Sequence, residues 1–66
     1  MNLQERTLKV YGKVYKVKYS LDGGIVTLQE LYEQNKDMWY RVDFNKIMRD
    51  RLIYHKVCSK EGIKVT

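Results

Sequence analysis

The 66-residue sequence has no proline, one cysteine, one histidine and four glycines. Each scarcity excludes something. A single thiol, Cys58, cannot close an internal disulfide, which suits a reducing compartment. With one histidine and one cysteine there is no H-x-x-x-H or C-x-x-C spacing for a metal. His55 and Cys58 stand close enough to meet on a helix. A thiolate–imidazole nucleophile also needs a third orienting group and an enclosing pocket, which so short a chain has little means to build. His55 reads instead as a group for the terminal carbonyls of a helix. The stretch "DGG" has neither the spacing nor the lysine of a phosphate-binding loop. No run approaches the ~18 apolar residues of a membrane span, and no signal-peptide h-region opens the sequence. The expectation is therefore a cytoplasmic protein without catalytic residues, metal or cofactor.

Positive charge is what the chain does have. Thirteen Lys and Arg against eight Asp and Glu give +5, a field that attracts polyanions. Residues 27–37 carry Glu30, Glu33 and Asp37 against Lys36. Residues 41–64 carry a clear excess of Lys and Arg over acid. A basic surface kept for solubility explains the total; the uneven placement favours nucleic acid.

The length supports one domain, residues 1–66, with a small core. "TLKVYGKVYKVKY" alternates as a hairpin does. A Gly12-Lys13 turn places Val10 opposite Tyr15, Leu8 opposite Val17 and Arg6 opposite Tyr19, with Lys9 facing Lys16 on the other side. Asp22-Gly23 marks a second turn, setting Tyr19 near Val26 and adding a short third strand. Thr27 and Glu30 have capping-box spacing, and Leu28, Leu31, Tyr32 and Asn35 fall at helical intervals. This predicts a first helix of about nine residues. Met38-Trp39-Tyr40 reads as a helical turn or an irregular plug, with Trp39 as a core anchor in preference to a stacking platform. Asp43 is a good N-cap for a second helix. Its inward side carries Phe44, Ile47, Met48 and Leu52. Asn45, Lys46, Arg49, Asp50 and Ile53 cover the other side, and Ser59 and Gly62 limit any last turn.

The predicted fold is α+β: an N-terminal antiparallel β-hairpin or meander over residues 1–26, a helix-turn-helix pair over 27–56, and a tail over 57–66. In such a pair the second helix enters the major groove of double-stranded DNA. Asn45, Lys46 and Arg49 are then the candidate base contacts, since Asn suits adenine and Arg or Lys suits guanine. Arg41, Arg51 and Lys56, with Lys9, Lys16 and Lys18 of the hairpin, are candidate phosphate contacts.

The segments "YSLDGGIVTLQELYEQN", "VDFNKIMRDRL" and "VCSKEGI" resemble small helix-turn-helix modules of phages and mobile elements. These stand alone or form the C-terminal DNA-binding segment of HNH-type homing endonucleases. Asp22-Gly23 matches their turn, and Thr27, Leu28, Glu30 and Leu31 match the opening of their first helix. Val42-Asp43 matches the second cap, Arg51-Leu52 the end of that helix, and Val57, Cys58, Glu61, Gly62 and Ile63 the tail. No HNH histidines accompany the match, so the resemblance implies a standalone phage-like DNA-binding protein, such as a transcriptional regulator, and not a nuclease. Two-fold dimerisation or a protein partner suits a domain this small. The main rival is an interaction protein that inhibits or redirects a host enzyme, a polymerase or a defence nuclease, through exposed Ile53, Tyr11 or Trp39. RNA binding through Tyr11 and the lysines of the hairpin is a third reading.

Overall fold

In the computed structural model, which describes residues 2–63 (Asn2 by its backbone alone), side-chain alternation is satisfied by strands as far as residue 42. Strands β1 (Asn2–Val10), β2 (Lys13–Asp22), β3 (Ile25–Asn35) and β4 (Met38–Val42) precede a helix α1 (Ile47–Lys60). They form one antiparallel sheet in the order β1-β2-β3-β4. The fold is mostly β. The predicted helix-turn-helix pair is absent: its first helix is β3, and Met38-Trp39-Tyr40 opens β4.

One residue explains why 27–35 imitates a helix. Lys18 pairs with Glu30 and Tyr19 with Leu28, so Gln29 is an extra residue on β3, a β-bulge. Beyond it the strand changes phase. Val26 and Leu31 are both buried and Leu28 packs against the same core, although Leu28 and Leu31 stand three apart. The bulge thus gives a strand the apolar spacing of a helix. Gln29 Nε2 donates to Ser20 Oγ at 3.3 Å across the irregularity. Thr27, the expected cap, pairs with Ser20 instead.

The first two turns each lie one residue away from their predicted place. Tyr11 (φ 53) and Gly12 (φ 76) make the β1–β2 turn, and Gly23 (φ 57) and Gly24 (φ 81) the β2–β3 turn. Positive φ at both central residues is the turn whose twist matches that of the strands. The pairing moves accordingly. Leu8 faces Tyr15 and Arg6 faces Val17, whereas Val10 faces Lys13. Tyr19, expected near Val26, pairs with Leu28, and Val26 pairs with Leu21. A shift of two keeps every side chain on its predicted face. It also separates the like charges, since Lys9 faces Val14 and Lys16 faces Thr7.

The core lies between one face of the sheet and α1. Leu8, Val10, Tyr15, Val17, Tyr19, Val26 and Leu31 meet Ile53, Val57 and Cys58 there. The helix packs mainly on β1 and β3. It starts later than predicted and presents a different face. Lys46 is its N-cap and makes no side-chain cap bond. The Asp43 carbonyl is occupied by the Asn45 amide at 3.0 Å and by Arg49 Nη2 at 2.6 Å. Arg49, Ile53 and Val57, four apart, form the buried stripe, while Phe44, Ile47 and Met48 are exposed and Leu52 is half-buried. Helical structure also runs into the predicted tail and buries Val57 and Cys58. Beyond its last residue, Lys60, Gly62 (φ 75) reverses the chain, and the Ile63 amide donates to the Cys58 carbonyl at 2.8 Å. Residues 64–66 of that tail lie outside the described residues.

A polar cluster fastens the helix end to the sheet. Tyr19 Oη donates to Glu61 Oε2 at 2.5 Å, and Arg6 donates to Tyr19 Oη at 3.2 Å and to Glu61 Oε2 at 3.3 Å. Burial and the carboxylate acceptor push the Tyr19 phenol above its ordinary range. The Tyr19 hydroxyl, reinforced by Arg6, holds the Glu61 carboxyl below its own.

Candidate nucleic-acid interface

Because α1 covers one face of the sheet, the other is left open, and cross-strand pairing dictates what stands on it. Thr7 pairs with Lys16, Lys16 with Tyr32, and Tyr32 with Arg41, a row across all four strands. Directly opposed residues share a face, so these side chains project together. At about 4.8 Å between neighbouring strands the row is roughly 14 Å long. The next row towards the β1–β2 turn contains Lys9 opposite Val14, and Trp39 opposite Gln34. On the other flank Lys18 lies between Glu5 and Glu30.

The aromatic rings and the lysines are in contact. Lys16 Nζ lies 4.5 Å from the Trp39 ring centroid and 5.9 Å from that of Tyr32, and Lys18 Nζ is 5.7 Å from Tyr32. Ammonium groups over ring faces are stabilised by the ring quadrupole, which helps cover an otherwise bare sheet. The same rings are flat, half-buried surfaces of the kind on which bases stack. Glu30 orients one of them: Tyr32 Oη donates to Glu30 Oε1 at 2.5 Å. That bond lowers the Glu30 carboxyl below its ordinary range, with help from Lys18 and Arg41. Glu5 and Glu30 oppose Lys18 on this flank, and Glu30 also faces Arg41, so the positive charge farthest from acid lies with Lys16 and Lys9.

The predicted contacts therefore fall into separate groups. Lys9, Lys16, Lys18 and Arg41 share the open face of the sheet. Arg51 and Lys56 are exposed on α1, and Asn45 and Lys46 are exposed in the segment before it. Arg49 is only 8% exposed and is paired with Asp50 at 3.0 Å, with its guanidinium 5.7 Å from the Tyr15 ring. Its Nε and Nη2 are engaged by Asp50 and by the Asp43 carbonyl, which ties it to the fold. Ile53, the expected protein contact, is fully buried. Trp39, the expected core anchor, lies on the sheet face away from the core.

Sequence reasoning missed Tyr32 as a site residue and gave Trp39 the wrong side. The period-two alternation of Tyr32, Gln34, Trp39 and Arg41 about a tight Lys36-Asp37 turn was the available signal. Lys60 was also missed. With Lys9, Lys56, Thr7, Leu8 and Ser59 it lines a groove of about 360 Å³ between β1 and α1. Among the described residues there is no group of three or more His, Cys, Asp or Glu side chains placed to hold a metal ion. Nor is any helix among them long and apolar enough to cross a membrane. No family model, curated protein or solved structure matches the chain.

Proposed function

We propose that the protein binds single-stranded nucleic acid on the open face of its sheet. The observation that carries this reading is Lys16, whose ammonium stands over Trp39 and near Tyr32 on a face the helix leaves uncovered. Such a face offers both things a single strand needs, planar rings for bases and cations for phosphates. An incoming base displaces the ammonium from the ring, and the ammonium moves to a phosphate. Arg41 at one end of the row serves the same backbone, and Lys9 extends it towards the edge of the sheet. A duplex fits less well, because its bases are already stacked and a flat sheet meets only its backbone.

Trp39, the only tryptophan in the chain, is a reporter inside the site. Titration with a single-stranded oligonucleotide and with the matched duplex, each at two salt concentrations, tests the reading. Single strands, RNA or DNA, are expected to quench Trp39 emission and to bind more tightly than duplex. Tyr32→Ala should cost about 1–3 kcal/mol of binding for a stacked base. Lys16→Gln should reduce the salt slope by roughly 0.7. An unchanged Trp39 spectrum at low salt rejects the proposal. Tighter duplex binding transfers the interest to the basic side of α1.

A second reading has its own observation. Met38, Tyr40, Phe44, Ile47 and Met48, all between residues 38 and 48, are exposed apolar side chains. A protein-interaction module would use them, and Ile47→Ser with Met48→Ser would abolish partner binding while leaving the titration unchanged.

A further inference from the structure

The groove between β1 and α1 is not part of the sheet face, yet it begins where the aromatic row ends. Thr7 and Lys9 belong to both: they stand on the open face of β1, where Thr7 pairs with Lys16, and they line the groove. Lys9, Lys56 and Lys60 surround the groove, with the hydroxyl residues Thr7 and Ser59 between them. The ion pairs among the described residues are Arg6–Glu61, Lys13–Glu33 and Arg49–Asp50, so none of these lysines has a carboxylate partner there. Three lysines gathered on one concavity concentrate positive charge there, which is unfavourable in the absence of an anion. An anion bearing several acceptor oxygens offsets that charge and also accepts from both hydroxyls.

We infer that the groove takes a phosphodiester of the same strand whose bases lie on the sheet, so that the strand turns around the β1 edge. The inference rests on the sheet-face reading. It adds the direction of the strand, from Arg41 across Tyr32 and Lys16 to Thr7 and then to Lys56 and Lys60, and a site longer than the sheet is wide. β1 is an outer strand of the sheet, so no neighbouring strand blocks that path.

A length series separates the two parts. Oligothymidylates from three to twelve nucleotides are titrated against wild type and against the Lys56→Gln/Lys60→Gln double variant, with Trp39 emission as the signal. Both substituted side chains are exposed, so the fold is retained, and a thermal melt verifies it. The expected result is equal binding of the trinucleotide by both proteins. For the longest oligomers the double variant binds several-fold more weakly, with a salt slope lower by roughly 1.4, two phosphate contacts fewer. Inorganic phosphate at millimolar concentration should weaken the long oligomers for wild type and spare the trinucleotide. Double-variant binding equal to wild type at every length overturns this inference and leaves the sheet reading standing. Failure of every oligomer to perturb Trp39 overturns both.

Discussion

Glu61 shows how single residues set the working range of this fold. Its carboxylate accepts from Tyr19 and Arg6, joining the helix end to β1 and β2 over a wide gap in sequence. Its pKa is lower in the folded state than in the unfolded chain, so it contributes stability above the unfolded value and loses it as pH falls through the folded one. Tyr19 acts at the opposite end. Its folded pKa is raised, so its contribution is present below the unfolded value and lost as pH rises through the folded one. The cluster is therefore complete between the ordinary carboxylate and phenol ranges, which bracket neutrality. Melting temperature followed from pH 7 down to pH 3 should fall more steeply for wild type than for Glu61→Gln, and the two curves should converge in acid. Parallel curves would show that the cluster contributes nothing that depends on charge. Arg49 teaches a different lesson at this scale. In the sequence it is one basic residue among several on a helix. Its burial is accompanied by a backbone carbonyl at Asp43 and a carboxylate at Asp50 that accept from Nη2 and Nε, and no local pattern announces those partners.

At the scale of elements, what was legible is what depends on neighbours in sequence. The first hairpin was readable because alternation and a glycine mark it, and a pairing error of two residues leaves the faces intact. β3 was not readable. The bulge at Gln29 converts strand spacing into helix spacing, and the Thr27–Glu30 pair that resembles a cap is compatible with either. α1 was recognised as a helix, but its rotation depends on where it meets β1 and β3, which periodicity does not contain. The β1–β2 turn carries a prediction of its own. Tyr11 has φ 53, a region that favours asparagine and glycine over a tyrosine, and the residue is 71% exposed. Tyr11→Asn should therefore raise stability by about 0.5–1 kcal/mol, as asparagine before glycine is the preferred pair in this turn. Gly12→Ala should lower it by about 1–2 kcal/mol. A Cβ at Gly12 meets nothing within 4 Å, so that loss is conformational and not steric. Urea denaturation of the two variants checks both signs. If the alanine variant proves neutral, the positive φ at Gly12 is not a constraint on folding.

At the scale of the whole molecule, one cause should have two opposite effects. The chain carries +5, and its described ion pairs hold only part of the basic surface. The lysines around the β1–α1 groove and those on the open face repel one another in the folded state, where they are closer together than in the extended chain. Salt screens such repulsion over a Debye length of roughly 10 Å at 0.1 M, a distance comparable to the width of the sheet. Exposed ion pairs are screened too, but each is worth little to begin with. Screening should therefore favour the folded protein while it weakens attraction to a polyanion. Raising sodium chloride from 20 to 300 mM should lift the melting temperature of the free protein by a few degrees, since 1 kcal/mol corresponds to about 4–8 °C in a domain of this size. Oligonucleotide affinity over the same range should fall steeply, as released counterions require. Lys56→Gln/Lys60→Gln should flatten both responses together, because the same charges produce both. If the melting temperature falls with salt while affinity falls as well, the surface lysines are held by attractive pairs, and the positive field is not available to recruit a strand.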